Sequence, residues 1–227
     1  MTHFDGSSFE AAARPTIESL PIAETLHRVA NNLTLLAASL RVARRQVTDP
    51  VARAALDSAT ARIEAMGQVH RQLYALPPQA RIDLTAFLGG LAPIIGASIG
   101  MTCAVSGPTI GGPTIGGRTI GGPAIGVSGR TAESLAVVMT ELAINAFKHG
   151  YDGEAGQGIE ARVGEAGDGW MQLTVRDRGH GLPDGFRLDG GRGLGLRIVA
   201  SAVESLGGRI RTFTDGGAHF VVEAPPS

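Results

Sequence analysis

"ELAINAFKHG", residues 141–150, closes a long periodic run that opens at "AESLAVVMT". Glu141, Asn145 and His149 recur every four residues, so on an α-helix they share one face. Lys148 stands beside them, and Gly150 falls where helices commonly end on a glycine. An amide oxygen can bind a hard cation such as magnesium, directly or through water, and a lysine can meet a phosphate. Taken alone, a solvated polar face with cations at the helix end is the better reading.

Two more clusters follow. "DRGHG", residues 177–181, comes directly after a strand that reads "LTV". A carboxylate at a strand end, Asp177, can accept a hydrogen bond from an exocyclic amine such as that of adenine. Gly179 and Gly181 let a flat ring approach the backbone. Asp-x-Gly is also common in plain turns. "GGRGLGL", residues 190–196, runs straight into a helix. Gly191, Gly193 and Gly195 open the backbone there, and a helix N-terminus favours phosphate. Leu196 stands where a dinucleotide fingerprint needs glycine, and no Gly-Lys-Ser/Thr follows, so this is neither that fingerprint nor a P-loop. An ordinary glycine-rich connection is its alternative.

Upstream the pattern is purely helical. Ile22, Leu26, Val29, Leu33, Leu36, Leu40, Ala43 and Val47 alternate in steps of four and three, a heptad seam. With Leu26 at position a, His27 falls at b, Arg28 at c, and Glu24 and Asn31 at f, all outward. "TDP" at 48–50 breaks this helix. Leu56, Ala59, Ile63, Met66, His70 and Leu73 repeat the spacing, and "LPP" at 76–78 ends the second run. Two helices joined by a short turn predict an antiparallel hairpin. Its uncovered apolar stripe predicts a homodimer that closes a four-helix bundle. His70 falls on the seam and reads as structural.

After the prolines the pattern becomes mixed. "DLTAFLGGLAPIIGA" reads as helix up to Pro93 and "SIGMTCAVS" as a strand. "GIEARVGE" and "WMQLTVRD" alternate as strands, "GLGLRIVASAVESLGG" is helical, and "RIRTFTD" and "AHFVVEAP" form a closing hairpin. Between strand and helix, "GPTIGGPTIGGRTIGGPAIG" repeats every five residues. Gly and Pro at that density predict a loop, over 107–129. It is an expanded duplication or, through its recurring Ile, a docking loop.

Composition bounds the function. Formal net charge is −1 over 227 residues, so there is no broad basic surface for nucleic acid. The single Cys103 excludes an internal disulfide framework and fits a reducing compartment. The uncharged run from Leu84 to Gly117 is long enough for a membrane span, but its Gly, Thr, Ser and Pro content argues for soluble elements.

The order of the three clusters resembles the nucleotide-binding domain of the GHKL ATPases, in which they correspond to the N, G1 and G2 boxes. That resemblance implies that Asn145 helps hold Mg2+ with Glu141 nearby, that Lys148 and His149 serve the phosphate region, that Asp177 reads the adenine of ATP, and that Gly191, Gly193 and Gly195 form the lid. "HRVANNL" followed by "ARIEAMGQVHRQLY" is similar to the dimerisation and phosphoacceptor domain of sensor histidine kinases, in the subfamily whose box reads H-R-x-x-N. His27, Arg28, Val29, Asn31, Asn32 and Leu33 match, and Ala30 replaces the usual Lys. No Trp-x-Glu motif of the sister HWE group is present.

The resemblance covers residue 20 to the end. It implies an α+β protein: a loose tail over 1–15, an antiparallel hairpin over 16–78 forming a dimeric four-helix bundle, and an α/β-sandwich ATP-binding domain over 79–227. The implied activity is a cytoplasmic two-component kinase core that phosphorylates His27 from ATP and passes the phosphate to a response-regulator receiver aspartate. Glu24 would orient the ring or take a proton, and Asn31 would position water for dephosphorylating the regulator. No sensor segment precedes the hairpin, which implies a separate input protein. Ala218 replaces the family's usual Thr in a contact expected near the phosphates, and only nine residues separate Gly181 from Gly191, a short lid. A phosphotransfer or phosphatase scaffold with a weakened ATP site, and an anti-sigma-type binding protein, are the alternative readings.

Overall fold

The protein is described from a computed structural model over residues 22–73, 80–108, 114–115, 118–119, 124–154, 156–188 and 193–226, with backbone alone at 22–28, 114–115 and 118–119. The tail expected over 1–15 and the "LPP" turn lie outside the described residues.

Helix α1 (Ile22–Gln46) and helix α2 (Pro50–Leu73) form the expected hairpin. "TDP" both ends one helix and starts the next. The Asp49 carboxylate accepts from the Ala52 backbone N–H at 2.7 Å, and Pro50 occupies the first helical turn, where its missing N–H costs nothing. Ion pairs Arg41–Glu64 and Arg44–Asp57 cross between the helices.

The heptad reading is shifted by the structure. Within one chain, the α1 residues buried against α2 are Ala30 and Ala37, small side chains at position e that let the helices approach closely. Seam residue Leu36 stays 53% exposed and its neighbour Leu35 66%. Helix α2 buries a second face that its heptads did not announce. Ala61, Ala65 and Val69 join the hydrophobic core of the following domain.

That domain begins with strand β1 (Ile82–Asp83) and helix α3 (Leu84–Ile99), capped by the Asp83 carboxylate, which accepts from the Ala86 N–H at 3.0 Å. The helix does not stop at Pro93, as its sequence suggested, but continues to Ile99. Pro93 lies on the exposed side, while Leu84, Leu88, Leu91 and Ile95 are essentially fully buried. Burial of four large side chains at ~1.5–3 kcal/mol each outweighs the ~3 kcal/mol interior-proline penalty. The strand expected from Ser98 is correspondingly shorter, β2 (Cys103–Ser106).

Two short strands, β3 (Thr114–Ile115) and β4 (Arg118–Thr119), pair antiparallel within the repeat; the rest of its core lies outside the described residues. Strand β5 (Gly126–Val127) pairs with β1. Helix α4 (Gly129–Asn145) runs into a π-helical turn, Ala146–Gly150. Gly150 is therefore not the left-handed cap its position suggested. The sheet is completed by β6 (Ile159–Gly167), β7 (Trp170–Asp177), β8 (Arg209–Thr214) and β9 (Ala218–Ala224), with helix α5 (Leu194–Ser205) between β7 and β8.

The five-stranded sheet has the order β2-β6-β7-β9-β8, parallel only between β2 and β6. Strict alternation sets its two faces. Ile159, Ala161, Val163, Met171, Leu173, Val175, Phe220 and Val222 point into the core beneath the helices. The other face carries charge. Glu160 is held by Arg176 and Arg178, and Glu223 by Arg209, Arg211 and Gln172. Those hydrogen bonds, from Arg176 and Arg209 foremost, lower the carboxyl pKa of Glu160 and Glu223.

Candidate functional site

The alternation of β7 places Met171, Leu173 and Val175 in the core and then, at its last residue, Asp177. A carboxylate thus occupies a core-facing position, only 6% exposed. A buried charge persists only with partners. One oxygen, Oδ1, accepts from the Gly179 N–H at 2.9 Å and from the Ala218 N–H at 3.1 Å. The carboxyl plane is thereby fixed, and Oδ2 has no hydrogen-bond partner among the described residues.

The π-helical turn faces it. The Tyr151 N–H reaches the Ala146 carbonyl at 3.0 Å, the i→i+5 bond of such a turn, a feature frequent at functional sites. The His180 N–H donates to the Gly150 carbonyl at 3.1 Å. A Cβ on Gly179 would run into the Gly150 backbone, so the glycine lets these two segments touch. Gly181 has φ +80°, which only glycine adopts easily, and the next N–H, of Leu182, donates to the Thr214 hydroxyl at 3.0 Å.

Together these elements enclose a cavity of about 440 Å3, lined by Asn145, His149, Gly150, Asp177, His180, Gly181, Leu182, Phe186, Leu196, Ala218 and Phe220. Phe186 meets Phe220 edge to face, with ring centroids 6.2 Å apart. Apolar walls with one immobilised carboxylate oxygen suit a flat ring that carries an amine donor.

The opposite end of the cavity suits an anion and a cation. Helix α5 begins after its N-cap Gly193, with no side-chain cap among the described residues, and the free N–H groups of a helix start suit an anion. Asn145 has its Nδ2 buried with no hydrogen-bond partner among the described residues. That orphaned NH2 group is a donor awaiting an acceptor, such as a phosphate oxygen; a Mg2+ would have to be met by the Oδ1 side of the same amide. Glu141, 2% exposed, already has a partner, Arg62 of α2, at 2.5 and 2.8 Å. Burial first, and then the positive Arg62, lower the Lys148 pKa.

The structure thus brings Asn145, His149, Asp177 and Gly181 around one cavity, with Gly179 beneath Asp177 and Gly193 and Gly195 at the start of α5. Lys148 does not line the cavity but stands near Glu141. Gly191 lies outside the described residues. Glu24 and His27 lie on α1, their side chains outside the described residues; Asn31 is exposed, as position f requires. Ala218, expected near the phosphates, sits instead at the ring end and supplies an N–H to Asp177. That N–H, and the walls from Phe186, Leu196 and Phe220, were missed in the sequence. The core-side alternation of "AHFVVEA" marks Ala218 and Phe220 as inward but not as neighbours of Asp177.

Residues 24–98 match the family described as histidine kinase, and residues 131–227 match the family described as histidine kinase-, DNA gyrase B- and HSP90-like ATPase. Over 209 residues, 90% of this chain and 39% of the relative, the chain is 30% identical to the sensor histidine kinase PdtaS of Mycolicibacterium smegmatis, and equally to that of Mycobacterium tuberculosis. It is 25% identical to the blue-light-activated histidine kinase 2 of Erythrobacter litoralis, over 96% of this chain and 60% of that one. The chain therefore spans about two fifths of the length of the PdtaS proteins. In fold it is similar to the histidine kinase domain of the Erythrobacter litoralis EL346 blue-light activated histidine kinase, with a TM-score of 0.61 and 22% identity, covering 90% of this chain and 95% of that one.

Proposed function

The chain belongs to the histidine kinases, by an H-R-x-x-N hairpin and a GHKL-type ATPase domain, and on that premise we propose that it is a cytoplasmic, dimeric two-component kinase core that phosphorylates His27 from ATP and passes the phosphate to a response-regulator aspartate. The observation that carries the ATP site is Asp177, with Oδ1 pinned by two N–H groups and the rest of its carboxylate opening on the cavity.

In this reading Oδ2 of Asp177 accepts the adenine amine, and Phe186, Phe220 and Leu196 sandwich the ring. Asn145 holds Mg2+ beside the phosphates, with Glu141 on the same helical face. The metal would neutralise developing charge during transfer, chemistry that rests mostly on positioning and electrostatics. The start of α5 and the glycines Gly191, Gly193 and Gly195 would close over the phosphates, with Lys148 and His149 serving the phosphate region. The neutral imidazole of His27 supplies the attacking nitrogen lone pair. Glu24, three residues earlier, orients that ring. Residues 16–78 form the dimerisation and phosphoacceptor unit, and 79–227 the ATP-binding unit.

Among the described residues no helix is long and apolar enough to cross a membrane. Incubation with γ-labelled ATP and Mg2+ tests the reading. The label should be stable in alkali, labile in acid, and absent from His27→Ala. ATP binding without labelling would instead favour a phosphatase or binding protein, and no binding would leave a scaffold.

A further inference from the structure

Strands β6 and β7 run antiparallel, and Ile159 opposite Asp177 is the last pair of their ladder. The next pair in that register is Gly158 opposite Arg178. Their backbone groups meet a side chain rather than each other. The Tyr151 hydroxyl accepts from the Arg178 N–H at 2.8 Å and donates to the Gly158 carbonyl at 2.9 Å. Gly158 is buried, where a carbonyl without a donor is costly. A phenol therefore takes the place of one ladder bond. It parts the strands one residue beyond the carboxylate that faces the cavity.

The ring that carries this hydroxyl is itself held. It packs against the hydrophobic core. A Cβ on Gly156 would lie 2.2 Å from its Cδ1 and 2.4 Å from its Cε1, so the Gly156 backbone lies against the ring and no larger residue fits there without moving it. Residues 178–180 are thus led away from β6 toward the π-helical turn. There the His180 N–H meets the Gly150 carbonyl, and His180 Nε2 meets Asp152 Oδ2 at 2.9 Å. The side-chain pair is exposed and adds little, which leaves the phenol and the Gly150 carbonyl to hold the turn. The Gly179 N–H that pins Oδ1 of Asp177 belongs to this turn. The direction of the turn therefore sets the direction of the carboxylate.

We propose that Tyr151 is a positioning residue for base recognition: its hydroxyl wedges the β6–β7 ladder open beyond Asp177 and so aims that carboxylate into the cavity. This rests on the reading of Asp177 as the acceptor of the adenine amine. Tyr151→Phe keeps the ring packing and removes only the wedge. The Arg178 N–H and the Gly158 carbonyl then either stay unpaired or close on each other and extend the ladder by one pair. In the first case the turn loosens, and in the second it is pulled toward β6. Either way the carboxylate loses its aim, and a hydrogen bond weakens steeply as its angle worsens.

The test compares ATP with purine riboside triphosphate, which lacks the exocyclic amine, by calorimetric titration of the full chain in Mg2+. The parent should bind ATP about tenfold more tightly, the worth of one hydrogen bond to a charged acceptor. Tyr151→Phe should bind ATP about three- to tenfold more weakly and the amine-free nucleotide as the parent does. Gly156→Ala, which keeps the hydroxyl but displaces its ring, should lose the preference in the same way. In an Asp177→Asn background Tyr151→Phe should cost nothing further, because the two residues act through one bond. Equal weakening toward both nucleotides would overturn the proposal and make Tyr151 a residue of the fold alone. Unchanged ATP binding by Tyr151→Phe would also overturn it. If the parent shows no preference, the adenine reading of Asp177 fails. Amide exchange at residues 177–181 then judges the wedge by itself: faster exchange in Tyr151→Phe keeps it, and unchanged exchange removes it.

Discussion

The Asp177 carboxylate and the Ala218 backbone N–H, 41 residues apart in sequence, meet at 3.1 Å. This contact lets a charge sit at the core end of β7. It also turns a residue that looked like a lost hydroxyl into part of the site, because the backbone N–H is supplied by any residue at 218 other than proline.

Asp177→Asn keeps an oxygen for the N–H groups of Gly179 and Ala218 and points an amide donor into the cavity. The fold should survive, and ATP affinity should fall roughly ten- to a hundredfold, equivalent to about 1–3 kcal/mol. Asp177→Ala instead orphans two N–H groups and should lower the melting temperature as well. Calorimetric titration and thermal melts of both variants separate the two effects; equal ATP binding by Asp177→Asn and the parent would remove this carboxylate from nucleotide recognition.

Leu35, Leu36 and Val42 form an exposed apolar strip on α1, which soluble chains usually cover. Light scattering should give a dimer at micromolar concentration, and Leu36→Glu should give a monomer. A monomeric parent would refute the bundle.

Asn31 is exposed one turn after His27. Asn31→Ala should label His27 at close to the parental rate but remove phosphate from the partner regulator more slowly. Equal dephosphorylation by both proteins would exclude Asn31 from that step.

Pro93 interrupts the hydrogen bonding of α3 on its exposed side. Pro93→Ala restores an N–H to the Gly89 carbonyl and should stabilise the domain by about 1–3 kcal/mol. A lowered melting temperature would mean that the proline relieves a clash the helix otherwise carries.

Burial pushes the Cys103 thiol up to about 11. A raised thiol pKa keeps the group neutral and unreactive until the pH approaches that value. Iodoacetamide at pH 8 should therefore modify Cys103 slowly in the native protein and rapidly in urea, as read by mass spectrometry.

Local pattern carried much of this protein. Heptads in 22–73, alternation in "WMQLTVRD" and glycine at fixed offsets from Asn145 and Asp177 each follow from the period of one element, and a period is visible in the sequence of that element alone. Pro93 misled because its penalty is local while the burial of Leu84, Leu88, Leu91 and Ile95 that overrides it is not. The π-helical turn was hidden because Ala146–Gly150 reads as ordinary helix until Asp177 and His180 are packed beside Gly150.

The sequence by itself determined the hairpin, the mixed domain and the residue types of the site, since propensity and spacing act between near neighbours. Only the tertiary structure decided that Ala218 steadies Asp177, that α2 buries a second face through Ala61, Ala65 and Val69, and that Glu141 is held by Arg62. Those contacts join residues tens of positions apart, and their energies depend on burial and on the low dielectric that only the packed chain creates.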